Sequence, residues 1–522
     1  MPYRYSDKER DNLKWFANDF TRCSLKSISI RSGQLRGLSK FRIEFIYPIS
    51  AIAGENGSGK SSVLALAACA FHNKNLGWKL PDRKLPYYTF SDFFIQAAED
   101  IPLDGIEIGY GISYDHWKRT ETFPEGVGIG VQIRKKNKGG KWNDYDKRVP
   151  RPVAFLGIER VVPPAERSVY KSYRYSFSSS EKTGWEDRIR DSVSKVLGVA
   201  YDDFEIKSHG KYRLPLVKRK SGRYSGFNMG AGEKALFELF AAIFAAPDSA
   251  LFLVDELELG LHESAQKRLI KELTNVCLEK KIQIIFTTHS PKILAALPPE
   301  ARFMIQSGSV TQVLVGVSPA FAAGRLSGTN SDELKIFVED EVAATLIEDA
   351  LDHQTLQRVR ILPIGSHSAV VHLMAATYRE NSTTCDCIAF LDGDQSPALD
   401  AHVKRFIGWL GGSAPKNADA WIKQRLRLLP GDTAPESWVF NNLSKLADQA
   451  LCESFNLADV DRIRGALDAA LLAEEHERIF TFATSLGLNK KYAWRDCCSA
   501  LKRHNASLFQ PLVQPVHKLL ET

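Results

Sequence analysis

The stretch Gly54-Glu55-Asn56-Gly57-Ser58-Gly59-Lys60-Ser61-Ser62 constrains this chain more than any other. It fits the pattern G-x-x-x-x-G-K-[S/T] through Gly54, Gly59, Lys60 and Ser61. Residues 45–53 before it are apolar and β-branched, which predicts a buried strand. Residues 63–71 after it are strong helix formers without a breaker. Strand, glycine loop and helix in that order make a phosphate cradle. Glycines permit the tight turn, backbone amides point at the phosphates, and the helix N-terminus adds partial positive charge. In such a cradle Lys60 reaches the β and γ phosphates and the Ser61 hydroxyl sits on Mg²⁺. The sequence therefore predicts an α/β fold built around a nucleotide site.

The 522 residues are enough for two to four domains, and at 44% hydrophobic they can bury substantial cores. A formal charge of +7 is compatible with a nucleic-acid partner, although a solvated basic surface gives the same number. The chain has no apolar run of membrane-spanning length and a polar N-terminus, which predicts neither a transmembrane segment nor a secretory signal. Its eight cysteines, among them Cys385, Cys387, Cys497 and Cys498, lack zinc-like spacing, so reduced thiols in a cytoplasmic protein are expected.

Along the chain, residues 1–24 suggest a short leading helix, and residues 25–30 and 41–45 alternate as a β pair feeding the loop strand. Strands are expected near 105–114 and 127–134, then a basic hairpin tip at 134–141 that suits phosphate contact or simple solvation. Residues 97–227 read as an inserted lobe, with 165–225 mobile and mostly exposed. Order returns with a helix opened by Met229-Gly230-Ala231-Gly232-Glu233, a strand at 250–254, a helix at 263–279 and a strand from Ile282. A loop over 323–331 reads as the linker. These readings divide the chain into a head (1–327), a second α/β domain (328–440) and a helical tail (441–522).

Hydrolysis needs more than a cradle. The strand at 250–254 ends on Asp255 and Glu256, one acid to hold Mg²⁺ and one to polarise the attacking water. His289, at the end of the next strand, suits the γ-phosphate or that water, and Gln96 suits Mg²⁺ from a loop. In this order, residues 25–320 resemble an ABC-type ATPase head of the RecF/SMC/OLD branch. The resemblance implies roles for Gly54–Ser62 (Walker A), Gln96 (Q-loop), Met229–Glu233 (signature), Leu251–Glu256 (Walker B), Glu258-Leu259-Gly260-Leu261-His262 (D-loop region) and Thr288-His289-Ser290 (switch histidine). It also implies a homodimer in which ATP is held between two heads and the signature of one chain completes the other's site. The family's signature usually carries a serine where this chain has Gly230, so a hydroxyl donor is missing.

Beyond residue 330, Glu339 and the pair Asp392 and Asp394 end two strands, and strand ends on one edge of a parallel sheet converge. Clustered carboxylates suit Mg²⁺ or Mn²⁺ and metal-assisted phosphodiester cleavage. This region resembles a Toprim domain, and head followed by Toprim is the arrangement of OLD-family nucleases, which include Gabija-type antiviral effectors. The resemblance assigns Glu339, Asp392 and Asp394 to catalysis and metal binding, adds Glu436 as a further metal ligand, and offers Lys490 or Lys491 as the late lysine. Toprim domains usually carry a second acid where this chain has Ala343. Three functions follow: an ATP-regulated, metal-dependent nuclease of anti-phage defence, acting on DNA more than RNA; an ATPase scaffold controlling a separate HNH-type nuclease subunit, as in Septu-type and retron-linked systems; or a RecF-like DNA-binding repair clamp.

Overall fold

The computed structural model describes residues 3–73, 77–97, 99, 105–136, 142, 147–163, 166, 170, 172–179, 182–306, 311–326, 332–380, 386–410, 417–457 and 459–520. The chain divides into two compact units, Met1–Thr329 and Asn330–Thr522. The tip of the basic hairpin, most of the linker and Cys385 lie outside the described residues.

The first unit is centred on a six-stranded sheet in the order Gln312–Val315, Arg302–Gln306, Ile49–Gly54, Gln283–Thr287, Leu251–Val254, Val153–Leu156. Every pairing is parallel except that of the outermost strand, Gln312–Val315. Strands covered on both faces read as continuous apolar runs, as Leu251-Phe-Leu-Val254 does, with all four residues buried. Parallel register brings the residues that follow Gly54, Leu156, Val254 and Thr287 to one edge of the sheet. A leading helix, Asp7–Asn18, starts with a reciprocal capping box between Ser6 and Glu9.

The expected inserted lobe is divided among three sheets. Ile106–Tyr114 and Gly128–Lys136 extend the antiparallel pair Ser24–Ser32 and Phe41–Glu44 into a four-stranded sheet, while Val153–Leu156 joins the central one. Among the described residues of the lobe, only the strands between Ser178 and Ser225 form a sheet of their own. Nor are residues 186–225 a mostly exposed lobe. Helix Glu186–Leu197 buries Ile189, Val193 and Val196, and Phe204 stacks on Phe237 of the helix Ala231–Ala245 at 4.6 Å. The abundance of Lys, Arg and Ser there masks an apolar stripe at helical spacing. The start of the expected linker loop belongs instead to helix Pro319–Leu326.

The second unit has four parallel strands in the order Val359–Pro363, Leu334–Val338, Asp386–Leu391, Leu426–Leu428. Alternation sends Ile336, Val338, Ile388 and Phe390 into one core and Phe337, Cys387, Ala389 and Leu391 into the other. The first of these cores contains Phe482, Trp494, Cys497, Leu501, Val516 and Leu520. The described residues of 441–522, expected as a separate tail, thus supply the cover for one face of this sheet. Seven cysteines among the described residues are free. No helix among them is long and apolar enough to cross a membrane.

Candidate functional sites at two sheet edges

In the first unit the phosphate loop leaves the buried strand Ile49–Gly54 and enters helix Lys60–Ala68. A side chain at Gly54 would place its Cβ 2.4 Å from the Ile305 carbonyl oxygen, and one at Gly59 would press on Leu38 at the same distance. Gly57 and Gly59 also take positive φ, at 78° and 95°, where β-carbons are disfavoured. Glycine is therefore required by neighbours as well as by the turn. The Lys60 ammonium curls back to donate to the carbonyls of Gly54 (2.9 Å) and Glu55 (2.8 Å). Burial lowers its pKa, and the carboxylates of Glu256, Asp255, Glu258 and Glu55 oppose that.

The Ser61 hydroxyl donates to Asp255 Oδ1 at 3.1 Å, joining helix start to acid pair as a shared cation site requires. Thr287, which the sequence reading passed over, donates its hydroxyl to the same oxygen (2.6 Å) and accepts the Glu256 amide (2.7 Å). Its place at the end of the strand beside Asp255, one residue before Thr288-His289, was the available signal. Glu256 has φ +49°, uncommon for a residue with a β-carbon, so its backbone is held against a conformational cost. The His289 amide donates to Glu258 Oε1 at 2.5 Å. Gln96 is exposed in irregular backbone after the short helix Phe90–Phe93.

The signature residues open helix Ala231–Ala245, with Gly230 as N-cap in open space. No described hydrogen bond or ion pair ties Gly230, Ala231, Gly232 or Glu233 to the phosphate loop. Gly232 packs instead on Gly260, where a Cβ would stand 2.0 Å from the Gly260 oxygen. Glu233 Oε1 accepts the hydroxyls of Tyr201 (2.6 Å) and Tyr224 (2.7 Å). Burial and that carboxylate raise the pKa of both phenols.

In the second unit Glu339 and Asp392 follow adjacent strands, and the Asp392 amide donates to Glu339 Oε1 at 3.0 Å. His367 Nδ1 lies 3.7 Å from Glu339 Oε2. Between the two aspartates, Gly393 is wedged under the turn at residue 431, where a Cβ would meet the Gly431 oxygen at 2.3 Å. Glu436 is 4% exposed, and its pKa is raised by burial and by Asp340 against the pull of its own amide and of His476. Burial, then Glu339, Asp340, Asp394 and Glu436, push the Asp392 carboxyl up to about 8. Asp392 Oδ1 is buried without a hydrogen-bond partner, an arrangement suited to a cation. Ala343, where a second acid is usual in the resembled family, is fully buried, and Glu341 is exposed. Among the described residues, no three His, Cys, Asp or Glu side chains are gathered closely enough to hold a metal ion, so Glu339, Asp392, Asp394 and Glu436 do not form a ready-made cage. Lys490 and Lys491 begin helix Lys490–His504.

Residues 162–295 match the family model described as "AAA domain, putative AbiEii toxin, Type IV TA system". No curated protein matches the chain. Among solved structures, the SMC head domain from Thermotoga maritima aligns at 14% identity and a TM-score of 0.33, over 56% of this chain and 98% of that one. The Smc head bound to the C-winged helix domain of ScpA gives 14% and 0.36 over 56% and 97%. The Smc head with an extended coiled coil bound to the C-terminal domain of ScpA, derived from Pyrococcus furiosus, gives 14% and 0.35 over 56% and 96%. The family match overlaps the signature helix, the acid pair and the switch histidine. With the phosphate loop joined to Asp255 through Ser61, the match describes the first unit as an ATPase-type domain.

Proposed function

We propose that the first unit is an ABC-type head that binds and hydrolyses ATP as a homodimer. The observation that carries this is the junction of Ser61 and Asp255 at 3.1 Å on the edge where Lys60 and Glu256 also emerge. Lys60 exchanges its two loop carbonyls for phosphate oxygens. Ser61 and Asp255, with Gln96, would hold Mg²⁺, which would neutralise charge on the phosphates. Glu256 orients the attacking water, His289 contacts the γ-phosphate side, and Gly230, Ala231, Gly232 and Glu233 of a second copy complete the site.

In this reading the nucleotide state of the head governs metal-dependent nucleic-acid cleavage by the second unit, within prokaryotic anti-phage defence. Glu339, Asp392 and Asp394, with Glu436, are the residues that hold the metal; the unpartnered Asp392 oxygen and the shared strand edge support this. The toxin named in the matched family's description is in keeping with a defence role. The test is cleavage of plasmid DNA by the purified protein with Mg²⁺ or Mn²⁺, beside a Glu339→Ala/Asp392→Ala double variant. Cutting that vanishes in the variant is expected; no cutting, with intact ATP binding, refutes it. The buried Ala343 and the lack of three gathered ligands among the described residues favour a second reading, in which this unit is a scaffold and a separate nuclease cuts. Co-purification of a nuclease subunit with the native protein tests that reading.

A further inference from the structure

Arg160 lies in the short turn after strand Val153–Leu156, the neighbour of the strand that delivers Asp255 and Glu256. Arg160 is 6% exposed, and its guanidinium donates to three carbonyls: Gly157 (2.9 Å), Asp255 (2.6 Å) and Glu256 (2.5 Å). Among the described residues no acid side chain ion-pairs with this cation; it clamps the backbone of the acid pair. The clamp falls where it is needed, because Glu256, and not Asp255, has positive φ. Its amide is tied by Thr287 and its carbonyl by Arg160, so both peptide groups flanking the strained residue are held. The carbonyl of Arg160 in turn accepts the Lys234 ammonium at 3.0 Å. Lys234 is 1% exposed, sits in the first turns of the signature helix and pairs with Glu238 at 2.5 Å.

We infer that Lys234 and Arg160 are positioning residues that couple the signature helix to Glu256 of the same chain. This rests on the ATPase reading above. A signature helix that shifts on meeting nucleotide in a second copy moves Lys234, and with it the Arg160 peptide and the guanidinium that shapes the Glu256 backbone. One head thus registers in its own water-orienting acid that its signature has been engaged. Neither residue touches nucleotide in this scheme, so both act on turnover and not on affinity.

The test uses the full chain, with Arg160→Lys, which cannot span two carbonyls as a fork, and Lys234→Met, which removes the ammonium at similar length. Binding of a fluorescent ATP analogue and KM are expected within about twofold of wild type, while kcat falls on the order of tenfold through the lost charge-assisted bonds. Placed in a Glu256→Gln background, either change is expected to slow hydrolysis no further, because its effect passes through that side chain. Wild-type kcat in both variants overturns the relay, as does a full additive loss beside Glu256→Gln. If Arg160→Lys does not fold by circular dichroism, Lys234→Met decides the matter alone. Failure of the ATPase reading has a different signature: the wild type itself neither binds nor hydrolyses ATP, or Lys60→Ala changes nothing.

Discussion

Replacing Gly232 by alanine tests the contact between the signature helix and the turn after the acid pair. The added Cβ would lie 2.0 Å from the Gly260 oxygen and 2.6 Å from its carbonyl carbon. Both are backbone atoms, so no rotamer change relieves the clash, and Gly260 must retreat by about 1.4 Å to reach ordinary contact. Gly260 itself has φ +75° and cannot readily re-form the turn. Overpacking of this kind costs about 1–3 kcal/mol, and the rigid partner puts it near the top. Alanine returns somewhat under 1 kcal/mol of helix propensity, leaving about 2 kcal/mol net. At roughly 2 °C per kcal/mol for a unit of this size, melting by differential scanning calorimetry falls by about 4 °C. The same turn holds the His289 amide through Glu258 and the Glu256 carbonyl through Leu259, so kcat falls on the order of tenfold in a coupled ATPase assay. A Gly232→Ala protein with wild-type melting and turnover refutes the close approach and the reasoning built on it.

Three further outcomes are expected. Gly230→Ser has open space and an extended N-cap backbone, so it leaves stability unchanged or higher by a few tenths of a kcal/mol and, by supplying the missing hydroxyl, raises kcat; a slower enzyme would show that the glycine is itself required. Glu256→Gln retains ATP binding but loses about 10²–10³-fold in kcat, measured by single-turnover hydrolysis, and near-normal turnover would remove Glu256 from its role. For Asp392, the folded carboxyl titrates near 8 against an ordinary value of 3.8. The folded unit therefore keeps a proton that the unfolded chain releases across that window, and stability falls as pH rises from about 4 to about 8, then levels off. In metal-free buffer Asp392→Asn flattens this slope and melts higher than wild type at pH 8; identical pH profiles contradict the assignment.

How much of this was legible in advance depends on the range of the interaction. Gly54, Lys60 and Ser61 belong to one loop whose spacing alone dictates its geometry, and Asp255, Glu256, Glu339 and Asp392 are marked by buried apolar strands that end on acids. Arg160 was not legible and Thr287 was marked only by its place before Thr288-His289, since the role of each comes from a strand neighbour distant in sequence: Thr287 beside Asp255, Arg160 beside Glu256. The lobe over 97–227 was misdrawn because surface charge dominates its composition, while strand pairing distributes it among three sheets.

By itself the sequence determined that this chain holds a phosphate cradle, two α/β sheets and carboxylates at strand ends, because loop spacing, helix capping and strand alternation act over a few residues. Only the tertiary structure decided which acids stand together, which glycines are crowded and which helices cover which face. Those outcomes depend on register between strands far apart in the chain. Thus Ser61 met Asp255, Gly232 met Gly260, and the C-terminal helices closed over Ile336 and Phe390.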